Sequence, residues 1–252
     1  MPFLLTRQLM LDDLARFIRP ALLMETPVEV DPALPVPAQW VAILHDQQQG
    51  RKLALGAYWN KVAARMPAVL NFLHTFAKPL VVLVEHSKAV SLLYPFTAKG
   101  KRHFYRGHPA LRAVPAQFQT VWPRIPAQLR DFYMHIHNGW TFLSANSMGP
   151  LPVEDWAFLS DDRFDIDDDT AASMPCDISK VLTVFHNGGG DYLCLDFSAP
   201  DGVATGLIWW HEEPDTPEVV DFWAYLDAWI SIYVDDADSV DMCASRGGTA
   251  GG

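Results

Sequence analysis

The chain has 252 residues, half of them apolar and 12% aromatic, which allows a sizeable core and excludes wholesale disorder. Its net charge of −11 conceals an asymmetry: residues 1–120 hold 14 Lys and Arg against 7 Asp and Glu, a net of +7, whereas residues 121–252 hold 5 against 23, a net of −18. A half this acidic repels nucleic acid and anionic membranes and attracts cationic partners. The plain alternative is a solvated acidic surface, partly neutralised by the basic half of the same chain.

The N-terminal half reads as α+β. Residues 9–24 carry helical periodicity (Leu11, Leu14, Phe17, Ile18, Leu22), with Pro20 placed to kink or end the helix. Pro27, Pro32, Pro35 and Pro37 exclude regular helix after it. Residues 40–44 suggest a short strand, and 53–76 a helix interrupted at Gly56 and Pro67. Residues 81–84, 90–94 and 103–105 read as strands, with a turn at Lys99-Gly100. Four prolines between 109 and 126 coincide with the change of charge sign and place a domain boundary there.

The second half is more regular. Pro126 suits a first helical turn, and Leu129, Phe132, Tyr133 and Ile136 share one helical face up to Asn138-Gly139, which predicts a helix over 126–140. A strand-like run follows at 140–144, then an acidic stretch at 161–169. Runs 180–185 and 192–197 form a hairpin across a glycine-rich loop, and 204–210 a third strand. Thr216-Pro217-Glu218 reads as the start of a last helix, and 245–252 has no packing residues.

None of the candidate chemistries survives its own geometry. His135 and His137, two apart on a helix, face different sides and cannot share an ion. The loop Asn187 to Asp191 has phosphate-loop glycines, but a strand follows where a helix N-terminus is needed. The 161–169 stretch lacks the glycine and glutamate of a calcium loop, with Ile166 and Ala172 in those places. There is no G-x-S-x-G frame, and Cys194 sits inside a strand-like run. The basic runs Lys99 to His103 and Arg106 to His108 read as a solvated hairpin rim rather than a nucleic-acid patch. Cys176, Cys194 and Cys243 indicate neither disulfides nor zinc. No apolar run reaches the ~18 residues that cross a bilayer, and no cleavage site follows the short apolar start. The expectation is a soluble cytoplasmic protein with no metal, no cofactor, no nucleic acid and no membrane partner.

Five ordered stretches resemble a SUKH domain, the family that includes yeast cell-wall-synthesis regulators and many bacterial toxin-immunity proteins. They are P-A-Q-L-R-D-F-Y ending in Asn138-Gly139-Trp140; Met148-Gly149-Pro150-Leu151 with Val153-Glu154-Asp155-Trp156; G-G-G-D-Y-L-C-L-D-F at 188–197; I-W-W-H-E-E at 208–213; and D-F-W-A-Y-L-D-A-W-I at 221–230. The resemblance covers about 121–235 and departs in its Asp-rich insert and in the N-terminal half. It implies an α+β fold, a twisted mainly antiparallel sheet with flanking helices, acting by binding and carrying no catalytic residues. Asn138, Gly139, Gly190 and Asp191 are then structural.

The expected organisation is a smaller α+β region over 1–110, a Pro-rich linker over 111–125, a SUKH-like domain over 126–235 and a flexible tail over 236–252. The expected function is an immunity protein that binds a toxin with a basic surface, a nuclease among the candidates, through Asp165, Asp167, Asp168, Asp169, Glu212 and Glu213. The rivals are a regulatory scaffold and an enzyme whose site includes His86, His103 or Glu85.

Overall fold

The computed structural model describes residues 2–237, with side chains from Arg7 onward. Helix α1 (Pro2–Leu14) leads into β1 (Pro20–Met24), followed by α2 (Ala38–Gln48), α3 (Leu53–Trp59) and α4 (Pro67–Thr75). Strands β2 (Val81–Glu85), β3 (Val90–Ala98) and β4 (Lys101–Pro109) come next, then α5 (Ala127–His135) and β5 (His137–Phe142). The rest is β6 (Gly149–Pro150), β7 (Ala157–Phe158), α6 (Asp168–Ser173), β8 (Val181–His186), β9 (Tyr192–Asp196), β10 (Thr205–Trp209), β11 (Glu218–Val219) and α7 (Phe222–Val234). One antiparallel sheet runs β1-β2-β3-β4-β5, and a second runs β11-β10-β9-β8-β6 with β7 also on β8. The α+β class with antiparallel sheets and flanking helices is as expected.

Several expected elements differ. Residues 40–44 are helical: Trp40, Ile43 and Leu44 lie at helical spacing and all bury into the main core. Pro20 opens a strand rather than kinking a helix. Gly56 lies within α3 without breaking it. The helix expected over 126–140 stops at His135, with Pro126 as its N-cap. From His137 on, the backbone pairs with β4, Tyr105 opposite Phe142 and Gly107 opposite Trp140. An inter-strand ladder satisfies those backbone groups as fully as a helix would, so tertiary context overrides the 3.6-residue pattern. The last helix starts at Phe222, where Asp221 accepts from the N–H groups of Trp223 and Ala224 at 3.0 Å.

The first sheet therefore combines four strands of the N-terminal half with one from the second half. The 111–125 segment is packed, with Phe118 and Ile125 buried, and so forms no gap in the core. The largest core cluster runs from Met24 to Val234 and includes Trp40, Trp59, Tyr94, Trp140, Phe185 and Leu226. Within it Tyr105 stacks on Trp140 with ring centroids 4.0 Å apart and planes 13° from parallel. Such aromatic contacts add about 0.5–1.5 kcal/mol to the burial of the rings.

Two polar devices cross the same seam. The Asp227 carboxylate on α7 accepts from the N–H groups of Ala68 and Val69, both at 3.0 Å. It thus caps the N-terminus of α4 from a helix some 160 residues away in sequence, where unpaired N–H groups and the helix dipole favour a negative charge. The second device is a buried chain of donors. Trp59 Nε1–H donates to the Tyr94 hydroxyl at 3.2 Å, and that hydroxyl donates to His137 Nε2 at 2.7 Å. His137 Nδ1–H donates to the His108 carbonyl at 2.9 Å. A carbonyl only accepts, so the ring is the neutral Nδ1–H tautomer. Burial pushes the His137 imidazole down to about 3 and that of His108 down to about 4.

Each sheet has an outer face with its own cover. Met10 and Leu14 of α1 pack on Leu23, Val81, Leu83 and Leu93 of the first sheet. Residues 159–178 pack on Val181, Cys194, Leu207 and Trp209 of the second. Of the tail expected over 236–252, Asp236 pairs with Lys99 at 2.6 Å and Ala237 bridges Ala98. The remainder, 238–252 with Cys243, lies outside the described residues.

Candidate protein-binding surface

The acidic insert is built on a few apolar anchors. Phe164 sets its ring 5.3 Å from Tyr192 and 5.6 Å from Trp209, at the paired ends of β9 and β10. Ile166, Met174 and Ile178 join the same cluster. With the apolar residues turned inward, the aspartates are left outside. Asp165 takes a left-handed conformation (φ 50°) that closes the turn after Phe164; Asp tolerates this better than most residues. The Asp167 side chain caps α6 by accepting from the Thr170 N–H at 2.7 Å, a bond that holds its carboxyl below the usual range. Asp168 and Asp169 occupy the first turn of α6 and are exposed.

Glu212 and Glu213 are exposed in the turn after β10. The residue before them is tied down: His211 donates from its backbone N–H (3.1 Å) and from Nδ1 (2.8 Å) to Asp191 Oδ1. Asn187 donates to the other oxygen of Asp191 at 2.7 Å. Burial raises the Asp191 carboxyl, and the bonds from His211 and Asn187 outweigh it, so the group sits below its ordinary value. Gly190 has φ 110°, and a Cβ there would come within 2.7 Å of the His211 ring. Gly139 has φ 79°, and a Cβ would run into the Pro152 backbone. Beside it, Asn138 accepts from the Val153 N–H at 2.9 Å and donates to Glu154 at 2.8 Å. Asn138 and Asp191 are thus held by hydrogen bonds, and Gly139 and Gly190 lie where a side chain would clash.

Phe164 of the insert and the turn that carries Glu212 and Glu213 both adjoin Trp209, the last residue of β10. Phe164, adjacent to Asp165, rests on Trp209, and Glu212 follows three residues later. A cavity of about 320 Å³ at that turn is lined by Asp191, Trp210, His211, Glu212, Glu213 and Glu218. Sequence reasoning missed Trp210 and Glu218 because it placed 216–218 in a helix start. Instead β11 folds back on β10, with Ile208 opposite Glu218, and Trp210 Nε1–H donates to Glu218 at 3.1 Å. Within and after the insert, Arg163 pairs with Asp161 at 3.0 Å and Lys180 with Asp177 at 3.1 Å.

Other expected groups lie apart. His135 is half exposed beside Asp131, 3.5 Å away, while His137 is fully buried on β5. Glu85 pairs with Arg106 at 3.5 Å, and the His103 ring lies against Phe96 and Phe142. Cys194 is buried, which raises its thiol well above the ordinary value. Among the described residues no three His, Cys, Asp or Glu side chains gather to hold a metal, and no helix is long and apolar enough to cross a membrane.

Compared with known proteins, residues 111–232 match the model of the SMI1/KNR4 family (SUKH-1). That range contains α5, the second sheet and the six exposed carboxylates. No curated protein and no solved structure matches the chain.

Proposed function

We propose, from the premise that residues 111–232 form a domain of the SMI1/KNR4 (SUKH-1) family, that the protein works by binding rather than catalysis and is a cytoplasmic immunity protein. In this reading it neutralises a cognate bacterial toxin through Asp165, Asp167, Asp168, Asp169, Glu212 and Glu213. What supports it is the exposure of all six carboxylates, within a half of net charge −18. A toxin with a basic cleft, a nuclease above all, would be drawn to such a field. Steered association of this kind reaches ~10⁸–10⁹ M⁻¹s⁻¹ at low salt.

The test is stopped-flow association with a cognate toxin, run across salt concentrations. The expected outcome is an on-rate that falls steeply with salt, and that drops about tenfold or more for Asp165→Lys/Asp168→Lys/Glu212→Lys at low salt. An on-rate indifferent to salt, or the same in the variant, overturns the electrostatic reading. A regulatory scaffold is the second reading. It is favoured by one observation: the N-terminal half shares its sheet with the family domain, so surfaces of both halves are held on one core.

A further inference from the structure

A second surface lies on the opposite charge pole of the chain. Between α1 and the β3–β4 hairpin is a groove of about 550 Å³, lined by Leu9, Arg16, Phe17, Lys101, His103 and Phe142 among others. Its form follows from how α1 packs. Met10 and Leu14, four residues apart, are both turned onto the sheet. Leu9, about 100° round the helix from Met10, and Phe17 in the turn beyond stay 48% and 50% exposed. Both border a groove whose floor is the apolar Phe104, Phe142 and Leu143.

The rim is cationic. Arg102 pairs with Asp13 at 3.0 Å, and Arg16 reaches the same carboxylate only at 3.7 Å. One carboxylate thus faces two guanidinium groups, and Lys101 also lines the groove, which leaves a positive excess there on a chain whose net charge is −11. The Arg16 side chain is 72% exposed, so its charge is available to a ligand at little desolvation cost.

We propose that this groove docks an acidic peptide segment with apolar anchors, presented by a partner protein. Carboxylates of the segment meet Arg16 and Lys101, while aliphatic or aromatic side chains cover Leu9 and Phe17. Two observations favour peptide over nucleic acid. The aromatic residues interleaved with the hairpin cations, Phe104 and Tyr105, are buried and cannot stack on bases. The rest of the chain carries too much negative charge to sit well beside a polyanion. The site uses none of the acidic residues assigned to toxin binding, so the two readings stand or fall separately.

The experiment pans a random dodecapeptide display library on the whole protein, with an Arg16→Glu/Lys101→Glu variant as counter-selection. A random single-stranded DNA pool runs in parallel. Peptides enriched on the wild type should carry Asp or Glu beside Leu, Ile, Met or Phe. By fluorescence anisotropy they should bind the charge variant, and separately Phe17→Ala, about tenfold or more weakly, with melting temperatures unchanged. Absence of enrichment over the counter-selection, enrichment of basic peptides, or equal affinity for a folded variant overturns the proposal. Enrichment of DNA that the charge variant abolishes also overturns it and assigns the groove to nucleic acid.

Discussion

The two sheets share one core on their inner faces and are closed on their outer faces by different material. Outside β1 to β4 lies α1, held by Met10 and Leu14. Outside β8 to β10 lies the 159–178 insert, held by Leu159, Phe164, Ile166, Met174 and Ile178. Inner faces must interdigitate with each other and with the helices, so their residues answer to packing and to the pairing of the few polar groups buried there. An outer cover needs only a few inward apolar side chains, and its solvent side is free to take up charge. The α1 cover borders a basic, apolar groove, and the insert presents carboxylates. The fold thus resides in what the sheets share, and the two candidate recognition chemistries reside in what they do not.

Separating the sheets is the severest way to break that comparison. A fragment of residues 111–237 leaves β5 without β4 and Trp140 without Tyr105. It should show no cooperative thermal transition by circular dichroism and poorly dispersed amide resonances. A sharp transition would mean that the second sheet has a core of its own. Next in size is Asp227→Ala, which strips the cap from α4 across the seam. Loss of two hydrogen bonds to a buried carboxylate, 9% exposed, should cost about 3 kcal/mol in urea unfolding. An unchanged midpoint would show that α7 and α4 are held by apolar packing alone.

The pH dependence reports on the same seam. His108 and His137 have folded pKa values depressed to about 4 and about 3, below the unfolded value of about 6.5. Their contribution is therefore complete above about pH 6.5. It declines as the pH falls towards those folded values, because the unfolded chain takes up protons that the folded one refuses. By pH 5.5 the loss should be about 1.4 kcal/mol per histidine. His137→Gln should flatten the stability–pH slope by one proton between pH 6.5 and 5. An unaltered slope would mean that another group titrates there. Smallest of all, Asp168→Lys and Glu212→Lys should shift stability by no more than about 0.5 kcal/mol. A larger loss would give the acidic cover a structural role.

Much of the second sheet was legible in the amino-acid sequence. Runs 181–186 and 192–196 are apolar on both faces and joined by Asn187-Gly188-Gly189-Gly190, so hairpin and burial could both be inferred. The 40–44 run was misread because Trp, Val and Ile favour strands, whereas the i, i+3, i+4 burial of Trp40, Ile43 and Leu44 selects a helix. The 126–140 segment was misread for the converse reason: its helical period continues past His135, and only the presence of β4 stops it. The six carboxylates were legible as exposed. That Trp210 and Glu218 would join Glu212 and Glu213 was not, since β11 is only two residues long and exists through its pairing with β10.

The sequence by itself determined what depends on local order: the apolar hairpin, the Asp-rich insert, the charge reversal near residue 120 and the ordered stretches that resemble a SUKH domain. Only the tertiary structure decided what depends on residues far apart in the chain. It moved β5 into the sheet begun by the N-terminal half and set Asp227 on the end of α4. It also buried His137 between Tyr94 and the His108 carbonyl. The physical reason is that backbone N–H and C=O groups accept any partner of correct geometry. Local pattern can show that a segment must be paired, but the shape of the shared core chooses the partner.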